Sequence, residues 1–91
     1  MMKSREMNQE KIRTRFVDVF EQYSKGKKVE EEMKSIVKEY EDIVFLLDDT
    51  LNCSVGIMDA ITKKDIKDKN EEKQVVSEIL KELKEKSYLG V

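Results

Sequence analysis

Histidine, proline and tryptophan are absent from this 91-residue chain, and cysteine occurs once. Without histidine the commonest general base and the commonest metal ligand are missing. Ser–His and Cys–His nucleophiles are excluded, as are the histidine-containing di-metal sites of helical bundles. The lone Cys53 excludes an internal disulfide and a cysteine-based zinc site within one chain. A small buried or half-buried thiol is the expectation for it. No glycine-rich loop offers a phosphate cradle. Asp68, Asn70 and Glu72 mimic the first ligands of a calcium loop, but Lys73 stands where the glycine belongs and Ile79 where the bidentate glutamate belongs. The expectation is therefore a non-enzyme without cofactor or metal.

Long apolar runs are also missing. Nothing approaches the ~20 residues of a membrane span, and the start MMKSREMNQEK is too polar for a signal peptide. A soluble, cytoplasmic protein without a membrane partner is expected. With no proline, only Gly26, Gly56 and Gly90 as glycines, and no strand-like alternation, helix is favoured nearly throughout.

What is present is charge, 42% of residues, set between apolar residues that make up 38%. The length fits one domain, 1–91. A domain this small buries only about two-thirds of its unfolded surface, so a protein partner or a homodimer is a natural way to bury more.

The fold class expected is all-α, a small bundle of three to four helices with an N-terminal antiparallel helical hairpin. The first helix, about 5–24, starts at a cap between Ser4 and Asn8 and carries Ile12, Phe16, Val19, Phe20 and Tyr23 on one face. Gly26 suits the left-handed position after its end. The second, about 28–51, opens with Glu30, Glu31 and Glu32 at its positive pole. From Val29 to Leu51 its apolar residues form a stripe about 120° wide centred on Tyr40. Phe45 and Leu46 fall outside that stripe, so this part of the helix needs cover from the later helices or from a partner. A break follows at Asn52–Ser54, with Ser54 capping a short helix of about 55–65. A single bent helix from Val29 to Lys64 is the alternative, because Val55, Met58 and Ile61 keep the phase. Asp68, three residues before Glu71, resembles a capping box ahead of a last helix of about 70–86.

Charge is unevenly spread. Residues 1–28 hold eight bases and four acids, residues 29–52 two bases and eight acids, and the remainder eight of each. Three basic patches emerge: Lys11, Arg13 and Arg15 with Lys3 and Arg5; Lys25, Lys27 and Lys28; and Lys63, Lys64, Lys67 and Lys69. Such patches suit an anionic partner or complement acidic helices within the fold.

Leu51-Asn52-Cys53-Ser54, followed by Met58-Asp59-Ala60-Ile61, the charged stretch 63–70 and the acidic stretch 71–84, resembles the small double-stranded-DNA-binding, late-transcription protein family of T-even phages. Asn52 replaces that family's glycine, Ser54 its aspartate and Met58 its aromatic residue. The resemblance implies a compact helical phage protein that binds duplex DNA in the host cytoplasm.

The functional expectation is a non-catalytic binding protein, an accessory factor for duplex DNA in transcription. Lys11, Arg13, Arg15, Lys63, Lys64 and Lys67 would contact phosphates without base specificity. The alternative is a protein–protein adaptor or inhibitor acting through Phe45 and Leu46, as an obligate dimer or on a larger protein.

Overall fold

Ile12, Phe16, Val19 and Phe20 recur at helical spacing, and in the computed structural model all four are buried along one helix, α1 (Gln9–Ser24). The structure describes residues 9–85. Three more helices follow: α2 (Glu30–Tyr40), α3 (Asp49–Thr62) and α4 (Lys69–Glu85), with a 3₁₀ turn at Val44–Leu46. The described residues form an all-α bundle of four helices, and no strand occurs among them. The expected first cap at Ser4–Asn8, the bases Lys3 and Arg5, and the end of the last helix at residue 86 lie outside the described residues.

Helices alternate in direction. Arg13, early in α1, donates to the carbonyl of Leu83 at the end of α4, while Tyr23, near the end of α1, lies beside Glu72 near the start of α4. Lys64, just past α3, reaches Glu30 at the start of α2. The expected antiparallel hairpin of α1 and α2 is present, joined by the side chains of Arg15 and Glu39 and by an edge-to-face contact of Phe16 with Tyr40 at 5.8 Å. The closest backbone neighbours are nevertheless α2 with α3, α1 with α4 and α3 with α4.

Gly26 takes φ +87°, as expected, and ends α1 with a Schellman pair: the Lys27 amide donates to the Gln22 carbonyl and the Gly26 amide to that of Tyr23. Asp68 caps α4, its side chain accepting the Asn70 amide at 2.9 Å.

The expected helix over 28–51 is corrected. It stops at Tyr40, and the chain turns through residues 41–48. Glu41 and Asp42 sit at the negative pole of α2, where carboxylates are unfavourable, and the β-branched Ile43 and Val44 extend a helix poorly. Asp48 then caps α3, accepting the Thr50 amide at 2.8 Å, while its own amide donates to the Gln9 side chain at 3.0 Å. Asp49 enters the first turn of α3, where its charge suits the positive pole. The apolar stripe survives the turn because its residues stay inside: Leu47 and Leu51 are buried, and Ile43 and Val44 are half-buried.

The expected break at Asn52–Ser54 and short helix at 55–65 are corrected too, as is the single helix from Val29 to Lys64. Residues 52–54 lie inside α3, and the Asn52 amide bonds the Asp48 carbonyl at 2.8 Å. Ser54 is fully buried and donates to the Thr50 carbonyl one turn back. The low helix propensity of this segment, about 3 kcal/mol relative to alanine, is overridden by burial. Leu51, Val55, Met58 and Ile61 all pack in the core, and each contributes roughly 1.5–3 kcal/mol. The centre of the bundle is thus α3, which packs on α2 and α4 and touches α1.

The later helices do not cover Phe45 and Leu46. These side chains remain 76% and 50% exposed on the 3₁₀ turn.

Candidate functional site

With helices alternating in direction, the α1–α2 and α3–α4 turns fall at one end of the bundle. Both are rich in lysine. Lys25, Lys27 and Lys28 from the first turn and Lys69 and Lys73 from the start of α4 line a cleft of about 980 Å³. Lys64 joins them through its 3.8 Å pair with Glu30 at the cleft edge, and Lys63 pairs with Asp59 one turn back on α3. Among the described residues Lys25, Lys27, Lys28, Lys67, Lys69 and Lys73 form no ion pair. All six are exposed. Two basic patches separated by more than thirty residues of sequence therefore become one surface.

Carboxylates temper it: Asp65, Asp68 and Glu71 are exposed in and beside the second turn, and Glu30 and Glu72 line the cleft. Glu72 stands beside the Tyr23 phenol, and Glu30 pairs with Lys64. Burial, then the hydrogen bond and charge of Glu72 and the charge of Glu30, push the Tyr23 phenol up to about 12. Glu30 and Glu72 are thus partly engaged within the fold.

The first basic patch is placed differently. Lys11, Arg13 and Arg15 lie in the first half of α1, towards the opposite end from the lysine cleft. Arg13 is half-buried, gripped by both carboxylate oxygens of Glu10 and donating at 3.2 Å to the Leu83 carbonyl, so it ties α1 to α4. Arg15 binds Glu39 at 2.9 Å and Glu32 at 3.4 Å, so it ties α1 to α2. Burial alone would lower its pKa, but the hydrogen bond and charge of Glu39, with Tyr40 and Glu32, raise it overall. Lys11 is exposed on the same helix. Of the residues expected to contact phosphates, Lys63, Lys64 and Lys67 lie in the turn from α3 to α4, at the same end as the cleft but outside its lining, and Lys11, Arg13 and Arg15 lie apart.

The sequence shows Lys25, Lys27 and Lys28 as a patch but not that they share an end with the second turn, and Lys73, beside Glu71 and Glu72, does not stand out as basic. The missing link was helix count. Once the acidic segment 41–48 is recognised as a turn, the lysine-rich turns on either side of it must share an end.

The opposite end carries the Phe45–Leu46 pair. It also receives the start of α1 and the end of α4, and it is rimmed by Glu41, Asp42 and Asp49, all exposed. On the flank, Lys84 pairs with Glu21 at 2.6 Å, and this hydrogen bond and charge hold the Glu21 carboxyl below its ordinary range.

Cys53 is exposed on α3 rather than buried or half-buried as expected. Among the described residues no group of three acids or cysteines converges to hold a metal ion, and no helix is long and apolar enough to cross a membrane. Leu51-Asn52-Cys53-Ser54, which carries the phage-family resemblance, forms continuous helix rather than a junction between two. No family model matches this chain, and neither does any curated protein or solved structure.

Proposed function

We propose that this chain is a non-catalytic accessory protein that binds the phosphate backbone of duplex DNA through its lysine-rich end. The observation that carries this reading is the convergence of Lys25, Lys27, Lys28, Lys69 and Lys73 on one cleft, unpaired among the described residues, with Lys63, Lys64 and Lys67 in the adjoining turn. Elsewhere Arg13, Arg15 and Lys84 are neutralised by carboxylates, whereas Lys25, Lys27, Lys28, Lys69 and Lys73 are exposed and make no ion pair among the described residues. Lysine ammonium groups act as point charges on phosphates and carry no base readout. The DNA contact is thereby indifferent to sequence, and transcription is the process the phage-family resemblance suggests for it.

A salt titration tests this. With about five phosphates neutralised, the logarithm of the association constant for a duplex falls against the logarithm of salt concentration with a slope of about −4.5. Replacing Lys27, Lys28 and Lys69 by glutamate abolishes binding, while Arg15→Gln leaves it nearly unchanged. Absence of duplex binding at low salt would sink the proposal.

A second reading has its own observation. Phe45 and Leu46 are adjacent, large, apolar and exposed, which suits a protein–protein contact in which the chain acts as an adaptor or inhibitor. Phe45→Glu with Leu46→Glu then abolishes partner binding while the chain stays helical.

A further inference from the structure

The turn between α2 and α3 lies in a stretch without one base. From Glu39 to Thr62 the sequence contains six acids, Glu39, Glu41, Asp42, Asp48, Asp49 and Asp59, and neither lysine nor arginine, in a chain with 18 bases. Phe45 and Leu46 stand out from the middle of this stretch, with Ile43 and Val44 half-buried beneath the same turn.

The turn is built to hold them in place. The Leu46 amide bonds the Ile43 carbonyl and the Leu47 amide that of Val44, both at 2.9 Å. Leu47 is buried, and the Asp48 amide is fixed on the Gln9 side chain. Apolar side chains presented on a fixed backbone lose less conformational entropy when they are covered. Their acidic rim repels acidic partners and attracts basic ones.

Building on the protein-binding reading above, we propose that this end of the bundle docks an apolar segment of another protein that carries lysine or arginine on both flanks. A second copy joined about a two-fold axis fits poorly. In such an interface the same surface meets itself, so Asp42 and Asp49 of one copy would face the acids of the other. Bases at this end of the bundle are already engaged in part: Arg13 is held by Glu10, and Lys84 by Glu21.

The test uses the full chain and three labelled synthetic peptides of about 15 residues. One has a Leu/Phe core with lysine flanks, the second the same core with glutamate flanks, and the third lysine flanks around a serine core. Fluorescence anisotropy should show binding of the first, with the other two weaker by about tenfold or more. Phe45→Ser should weaken the first peptide by a similar factor. Asp42→Asn with Asp49→Asn should weaken it and flatten its salt dependence. Circular dichroism confirms that the variants keep their helices. Equal binding of the glutamate-flanked peptide, lost in Phe45→Ser, keeps the docking surface and overturns the basic partner. Binding of none of the peptides, or binding indifferent to Phe45→Ser, overturns both. Light scattering of the chain alone adds one further outcome: mass that rises with concentration in the wild type, but not in Phe45→Ser, identifies the occupant as a second copy and overturns the proposal. Duplex DNA binding should be unchanged in Phe45→Ser, which keeps the two ends of the molecule separable.

Discussion

The Asp48 carboxylate accepts the Thr50 backbone amide at 2.8 Å, and this contact starts the helix at the centre of the bundle. An N-cap of this kind satisfies an otherwise orphaned amide, and its loss to alanine costs about 1 kcal/mol. Asp48→Ala should therefore lower stability by about that amount in urea unfolding followed by circular dichroism. Asp48→Asn, which keeps the accepting oxygen, should recover most of it. Equal loss in both variants would show that the charge of Asp48, rather than its cap, carries the effect.

This cap also explains what the sequence did and did not disclose. All-helical class was legible from missing breakers, and α1 and α4 from their apolar spacing, because each is a single amphipathic stripe. The α2–α3 boundary was hidden because Ile43, Val44, Leu47 and Leu51 stay in helical phase through a turn, each inside for a different local reason. Asp48-Asp49-Thr50 was the available signal, a cap residue followed by a first-turn acid. The propensity minimum at Asn52–Gly56 outweighed it in a reading based on local preference, yet tertiary burial of Leu51, Ser54 and Val55 decides that segment. The candidate surface followed the same division. The lysines were visible in the sequence, but their common end depends on the number of helices between them.

Gly56 and Leu51 lie on opposite sides of α3 in consequence. A Cβ at Gly56 would meet no atom within 4 Å, and the residue is exposed inside the helix. Gly56→Ala should stabilise the chain by roughly 0.5–1 kcal/mol through unfolded-state entropy and helix propensity. Leu51 is fully buried, and Leu51→Ala should cost about 2–5 kcal/mol. Denaturation midpoints moving in opposite directions check both. A destabilised Gly56→Ala would mean that this face of α3 is crowded.

Lys64 has φ +58° and ends α3 as Gly26 ends α1, with the Asp65 amide donating to the Ala60 carbonyl and the Lys64 amide to that of Ile61. A side chain in the left-handed region costs on the order of 1 kcal/mol that glycine avoids. The pair with Glu30 is exposed on both sides and returns little of that. Lys64→Gly should raise stability by about 0.5–1 kcal/mol. Under the DNA-binding proposal the same change removes a phosphate contact, so the salt slope should shrink by about one unit. Thermal unfolding and a duplex titration on one preparation measure the two effects. A gain in stability without loss of DNA affinity would remove Lys64 from the contact surface.

Tyr23 supplies the pH dependence at the lysine-rich end. Its phenol ordinarily titrates at 10.0, and burial together with the hydrogen bond and charge of Glu72 pushes it up to about 12 in the fold. Raising the folded value above the unfolded one makes this contribution fully present below pH 10. Between pH 10 and pH 12 the unfolded chain releases the proton more readily than the folded chain, so stability falls as pH rises. In Tyr23→Phe the interaction of the hydroxyl with Glu72 is gone, and stability near neutral pH should fall. The two proteins differ only in that hydroxyl, so the comparison isolates the phenol. The stability gap between wild type and Tyr23→Phe should be constant up to about pH 10 and close progressively towards pH 12, as measured by urea unfolding at stepped pH. A gap that stays constant throughout would place the Tyr23 hydroxyl in solvent rather than on Glu72.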